Sequence, residues 1–482
     1  MVDDLTRARA RELVEGQQRG DFSAREVLAA HLDRIDRVNP VVNALVTIDR
    51  EGAEAAAAAA DAETARRRAE GRPLRPLHGV PIAFKDTHAT AGMRTTYGSP
   101  LHREHVPAAD DEVVRRIADA GAVRVGKTNV PEFAAGSHTF NEVFGATHNP
   151  YAVGRTAGGS SGGAAAALAA GFQPVADGSD MGGSLRNPAS MCNVVGLRPT
   201  PGRIADPATG MAFTPLAVSG PMGRTVDDTA LLLGVMAGPH RDDPLSDHGG
   251  DLAAELAGGV DPVDLRGLRV AWAPTLGERV TVERQVLDVL EPAVKVFAGL
   301  GADVEEACLD LDGSDDAFRT LRAAEFDLLW GELLDERPAD LKPDLAWNIR
   351  EGRRLSGRDV MRAFAEVTRL HRAAHTFFDE YDVLLAPVSQ VAPFPVEIPW
   401  PTDIEGSVQH TYLDWMAASY LLTPLGVPAI SVPAGFTPDG LPVGLQIVTR
   451  ARTESTLLGI AAAFEAATGH GRCAPRLPEV LS

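Results

Sequence analysis

Gly158-Gly159-Ser160-Ser161-Gly162-Gly163 runs directly into Ala164–Ala170, and a second glycine-serine turn follows at 177–188, Asp-Gly-Ser-Asp-Met-Gly-Gly-Ser-Leu-Arg-Asn-Pro. Glycine permits close backbone approach and unusual dihedrals, while alanine forms a compact helix at little entropic cost. The two glycines before Ser184 let successive backbone N–H groups converge near its hydroxyl, which is what an oxyanion hole requires. Taken singly, either loop also reads as an ordinary turn or an anion-binding nest.

A serine nucleophile needs a base. No histidine stands beside these loops in a recognisable nucleophile arrangement, and the G-x-S-x-G elbow is absent, because Ser184 lies in Gly-Gly-Ser-Leu-Arg. Lys85 closes the apolar stretch Gly79-Val80-Pro81-Ile82-Ala83-Phe84-Lys85, so its amine stands where a buried strand ends. Desolvation there lowers a lysine pKa towards neutrality; a surface lysine on a loop is the competing reading. Gly126-Lys127-Thr128 ends like a phosphate loop but lacks the glycine-rich cradle before it.

Outward from these loops, the first eighty residues read mostly as helices. Leu13 and Val14, then Val27, Leu28, Leu32, Ile35 and Val38, recur among charges at helical spacing, and Ser23 with Glu26 forms a capping box. Ten alanines among Asp, Glu and Arg predict another helix over 51–70. Past Pro76 short apolar strands alternate with helices: 79–85, a helix at 110–120, a strand at 123–125, a strand at 270–272, a helix at 282–300 and a strand at 383–386. The alternation predicts a layered α/β fold. The boundaries drawn are an N-terminal helical region, 1–75, packing on a catalytic domain, 76–482. Residues 240–265 and 309–355 vary most in texture and are candidates for shaping a substrate site.

Composition fits a globular protein with a large core, at 44% hydrophobic and 23% charged residues. Sixty-six acidic against 46 basic residues, a formal charge of -20, repel nucleic-acid phosphates at long range. Cys192, Cys308 and Cys473 are too few and too far apart for a disulfide framework or thiolate cage, which suits a reducing compartment. No basic-then-apolar leader opens the sequence and no apolar run approaches the roughly 18 residues of a membrane span, so a cytoplasmic location is expected. The 13 histidines form no His-Glu-x-x-His or compact ligand cluster, so neither metal nor cofactor is expected. A homodimer is expected from size, with the N-terminal helices offering an interface.

Together the segments resemble the amidase signature family. The likeness runs from Val80–Asp86 through the two loops to Gly426-Val427-Pro428-Ala429-Ile430-Ser431-Val432-Pro433 and Gly440-Leu441-Pro442-Val443-Gly444-Leu445-Gln446. It implies an α/β fold with a single large mixed sheet covered by helices. It also implies a Ser-cisSer-Lys triad of Ser184, Ser160 and Lys85, with a cis peptide bond before Ser160 and an oxyanion hole from Met181, Gly182, Gly183 and Ser184. Ser161, Asp180 and Arg186 correspond to supporting residues, as do Asn129 and Glu132. Ser179 stands where threonine is usual and Leu185 where isoleucine is, both conservative changes.

The reaction implied is hydrolysis of a carboxylic amide to a carboxylate and an amine or ammonia through an acyl-enzyme. Ester or carbamate (urethane) hydrolysis stays open, because the same nucleophile meets the same carbonyl. The family's glutamine-hydrolysing subunit of a tRNA-dependent amidotransferase stays open too, as does an aryl acylamidase and, in a different class, a noncatalytic scaffold. His138, Phe326, Trp330 and Trp415 are the expected substrate-binding residues, with Tyr412 and Met416 further candidates for the pocket wall.

Overall fold

The computed structural model describes residues 2–207, 210–247 and 249–477. Two sheets organise the chain. The smaller has three strands, β1 (Leu45–Ile48), β2 (Pro81–Lys85) and β3 (Val123–Thr128), in the order β1-β3-β2. The larger has eight: β4 (Val175–Asp180), β5 (Val195–Arg198), β6 (Val218–Gly223), β7 (Arg269–Trp272), β8 (Asp303–Glu306), β9 (Val383–Pro387), β10 (Ala429–Phe436) and β11 (Pro442–Val448). Their order is β8-β7-β9-β11-β10-β5-β6-β4. β7 runs parallel to β8 and β9, and the other neighbours are antiparallel, so the sheet is mixed as expected. Parallel neighbours need a crossover; the amphipathic helix Arg284–Gly299 supplies one between β7 and β8, turning Val286, Leu290, Val294 and Phe297 inward.

Helices form where the N-terminal periodicity predicts them. Helices span Ala10–Arg19, Ala24–Val42 and Arg50–Ala69, and Ser23 and Glu26 form the reciprocal cap. Between the last two, β1 adds an antiparallel edge to β3, a strand that the helical periodicity does not announce. The stripe Leu28, Leu32, Ile35 and Val38 joins one apolar cluster with the alanine helix Gly162–Ala170, all nine of whose residues are buried. Alanine methyls are small enough for neighbouring elements to come close, so this helix packs tightly against β2, β3 and β4. The glycine-serine loop at its N-terminus is thereby fixed between the two sheets. The variable stretch 309–355 folds as two helices, Ser314–Glu336 and Pro343–Arg353, which pack against each other. Among the described residues no helix is long and apolar enough to cross a membrane.

Candidate active site

β2 is buried at every position and ends on Lys85, whose amine is wholly enclosed. Its Nζ lies 2.8 Å from Ser160 Oγ and 2.8 Å from Ser179 Oγ, and the Gly159–Ser160 peptide is cis. Burial pushes the Lys85 pKa down from 10.5 to about 7, although Asp177 and Asp180 pull the other way. Ser179, which the resemblance implies takes the place of a threonine, keeps a hydroxyl there, and that hydroxyl is on the lysine. The Lys85 backbone N–H donates to the Asp177 carboxylate on β4, joining the two sheets directly beneath the amine.

β4 ends on Asp180 and the chain then turns tightly through Met181-Gly182-Gly183-Ser184. Gly183 has φ +110°, and a Cβ there would come 2.5 Å from Ser419 Cβ, so both backbone conformation and space require glycine. Asp180 organises the turn. Its carboxylate accepts from the N–H groups of Gly183 (2.9 Å) and Leu185 (3.2 Å) and from Arg186 Nε and Nη2 (2.9 Å each). Arg186 continues to Ser419 O and Gln446 Oε1, tying the turn to β11. Burial alone raises a carboxyl pKa, but the charges and hydrogen bonds of Arg186, with Arg198, hold Asp180 far below the usual carboxylate range. The Gly183 N–H is therefore spent on Asp180, which narrows the expected set of oxyanion donors. Among the described residues the backbone N–H groups of Met181, Gly182 and Ser184 have no protein acceptor. Ser161 contributes its backbone N–H, 3.2 Å from Ser184 O, while its buried hydroxyl has no partner among the described residues.

Ser160, Ser179 and Ser184 open onto one cavity of about 220 Å³. Phe133, Phe326 and Trp330 form an aromatic wall, with ring centroids 5.3 Å apart for Phe133–Trp330 and 4.6 Å for Phe326–Trp330. Three of the expected pocket residues, His138, Trp415 and Tyr412, do not line it. His138 is buried between Thr156 and the Val396 carbonyl, both of which occupy its ring nitrogens, and packs on Phe140 and Phe394. Trp415 is 1% exposed and packs edge-on to Phe394 in the core, whereas its neighbour Met416 reaches the cavity. A short 3-10 turn, Asp414–Met416, presents Met416 to the cavity instead. Tyr412 is also buried, its hydroxyl hydrogen-bonded to Arg322 and Asn348. Asn129 and Glu132 brace loops behind the site: Asn129 holds Thr147 and Asn141, and Glu132 accepts from Ser99 and the Lys342 N–H.

Sequence reasoning missed Arg322 and Glu325, which enter the cavity one turn apart from helix Ser314–Glu336 and are 4% and 3% exposed. Their signal was two charges in a variable segment, indistinguishable from a solvated helix face. Arg322 Nη1 is 3.0 Å from Met181 Sδ, so it braces the serine turn from the pocket side. Thr423 Oγ1 holds the Met181 carbonyl at 2.7 Å. His88, paired through Nδ1 with Asp177, was likewise not anticipated; it does not line the cavity. Lys127 donates to His88 O and Thr90 Oγ1, a buried structural lysine rather than part of a phosphate loop.

The Asp180–Arg186 pair is fully enclosed on both sides. Removing the charge of one partner leaves the other buried and uncompensated, a loss of about 3–5 kcal/mol. Asp180→Asn is therefore expected to lower the unfolding free energy by that amount while loosening the serine turn, and a urea titration against the parent chain measures it. A change below about 1 kcal/mol would show that the pair does not hold the turn.

A family model described as Amidase matches residues 26–458. The chain is 40% identical to an acylamidase of Rhodococcus erythropolis over 95% of its own length and 94% of the relative's. It is 35% identical to a glutamyl-tRNA(Gln) amidotransferase subunit from Roseiflexus sp. (strain RS-1), over 99% of each. The solved structure of a bacterial aryl acylamidase of the amidase signature family superposes with a TM-score of 0.87 at 31% identity, covering 96% of this chain and 97% of that one. The architecture, the serine loops and these likenesses agree: the chain belongs to the amidase signature family and is an amide-hydrolysing enzyme.

Proposed function

We propose that the chain hydrolyses acyl amides, aryl amides among them, with Ser184 as nucleophile and Lys85 as base acting through Ser160. The observation that carries this reading is the 2.8 Å approach of the buried Lys85 amine to Ser160 Oγ, at the wall of a cavity that Ser184 also lines. Neutral Lys85 takes the Ser160 proton as Ser160 takes that of Ser184, whose oxygen adds to the substrate carbonyl. The N–H groups of Met181, Gly182 and Ser184 are free to meet the charge that develops on the carbonyl oxygen. Ser160 then protonates the leaving nitrogen, since an amide does not expel an unprotonated amine readily. Water, activated by the same relay, hydrolyses the acyl-enzyme. The aromatic wall of Phe133, Phe326 and Trp330 supports an aryl or acyl group in the cavity, and the acylamidase and aryl acylamidase relatives support the same substrate class.

The test is hydrolysis by the isolated chain of matched anilides, aliphatic amides, esters, carbamates and glutamine, together with mass-spectrometric mapping of a fluorophosphonate adduct. Anilide or aliphatic amide turnover with the adduct on Ser184 is the expected result. Turnover of glutamine alone would transfer the chain to the amidotransferase reading, and an adduct elsewhere would remove Ser184 from its role.

A further inference from the structure

The cavity carries a charged group that the relay does not use. Glu325 is 97% enclosed, since only 3% of it is exposed, and it lines the same cavity as Ser184. Its Oε1 has no hydrogen-bond partner among the described residues. Thr214 and, at longer range, Arg322 favour its charged form, but no Lys or Arg comes within ion-pairing distance of the carboxyl among the described residues. A buried carboxyl oxygen without a donor costs free energy that the fold has no structural reason to bear, so the natural partner is a donor on the ligand. Arg322, one turn away, does not supply it. Its guanidinium lies 4.0 Å over the Phe326 ring and is committed to Asn348, Tyr412 and Met181. Three more carboxylates, Asp180, Asp206 and Asp243, line the same cavity; with Asp180 already paired to Arg186, the remaining acidic groups still outnumber its single arginine. A cation is favoured there over an anion.

Resting on the proposed amidase reading, we infer that Glu325 is a specificity-determining residue that accepts a hydrogen bond from an amino group of the substrate, so that the preferred amides carry an organic ammonium remote from the scissile carbonyl. Burial raises the Glu325 pKa, opposed by Thr214 and Arg322, and a bound ammonium would draw the carboxyl back to its ionised form. A site built to pair with a substrate N–H rejects the analogue lacking it far more strongly than an apolar pocket separates two methylenes, because the unmatched polar group is then left bare.

The test compares two series: ω-aminoalkanamides, which place the ammonium on the acyl side, and N-(ω-aminoalkyl)acetamides, which place it on the leaving side. Each is matched with its methyl-terminated analogue of equal length. The expected result is a kcat/KM at least tenfold higher for the amino member at one chain length in one series, and a collapse of that ratio towards one in Glu325→Gln. Because the readout is a ratio within each protein, a general loss of rate in the variant does not disturb it. Calorimetric titration of the parent chain with n-alkylammonium ions against the corresponding alkanols gives the same comparison without turnover or a variant, and tighter ammonium binding is expected. Neutral amides turned over with no amino preference in either series, together with equal binding of ammonium and alkanol, would overturn the role of Glu325 and leave the amidase reading intact. Ammonium preference in binding without hydrolysis of any amide would keep Glu325 and sink the amidase reading instead.

Discussion

Ser184→Ala is expected to lower amide turnover by on the order of 10⁴-fold or more, because the acyl-enzyme route requires an oxygen at that position and no other hydroxyl sits on the glycine turn. The residue is 7% exposed, opens onto the cavity, and its side chain makes no hydrogen bond to the protein among the described residues. Removing one buried oxygen that has no protein hydrogen bond to lose should therefore cost little stability, about 1 kcal/mol or less. That separation makes the experiment sharp: kcat collapses, while the thermal midpoint and the circular dichroism spectrum stay. Residual turnover from positioning and the N–H donors alone would survive at a low level. Activity within tenfold of the parent chain would dismiss Ser184 as nucleophile.

What the sequence made legible was local chemistry with a fixed backbone requirement. Glycine at 183 is needed for a positive φ and for clearance from Ser419, so the pattern around the serine turn carries its geometry with it. The Ser23–Glu26 cap, the alanine helix after Gly163 and the burial of β2 were readable for the same reason, since each depends on residues close together in the chain. The pocket wall was less legible because it is assembled across long separations. Phe326 and Trp330 come from one helix, Phe133 from the short 3-10 segment Glu132–Ala134 nearly two hundred residues earlier, and Met416 from a short turn near the end. Whether Trp415 or Met416 faces the cavity is decided by a 3-10 turn, which rotates side chains by a different angle from an α-helix and which periodicity alone does not foresee. His138 failed as a pocket residue because its two ring nitrogens are satisfied by Thr156 and Val396, the second more than two hundred and fifty positions away. Glu325 carried only the general signal of its variable segment, 309–355, since a carboxylate on a helix reads as solvated.

Lys85→Met is expected to cost on the order of 10²- to 10⁴-fold in kcat/KM, the range that a positioned general base contributes, without leaving a buried charge behind. Its pH signature distinguishes a base from a structural lysine. With the amine at about 7 in the folded chain, kcat/KM of the parent should fall about tenfold per pH unit below that value and level off above it, because only neutral Lys85 accepts the Ser160 proton. The variant should lose this limb, not merely run parallel beneath it. Stability responds in the same window with a definite sign. The folded pKa is depressed from 10.5, so between about 7 and 10.5 the unfolded chain binds the extra proton and the contribution of Lys85 makes stability rise with pH; Lys85→Met flattens that rise. Because Ser184, Ser160 and Lys85 act as one relay, the double variant Ser184→Ala/Lys85→Met should be little slower than Ser184→Ala alone. Additive losses, or a limb near pH 7 that survives in Lys85→Met, would mean that the proton leaves Ser184 by another route. The enclosed His88–Asp177 pair would then be the first group to examine, since it touches the Lys85 backbone through the shared Asp177 carboxylate.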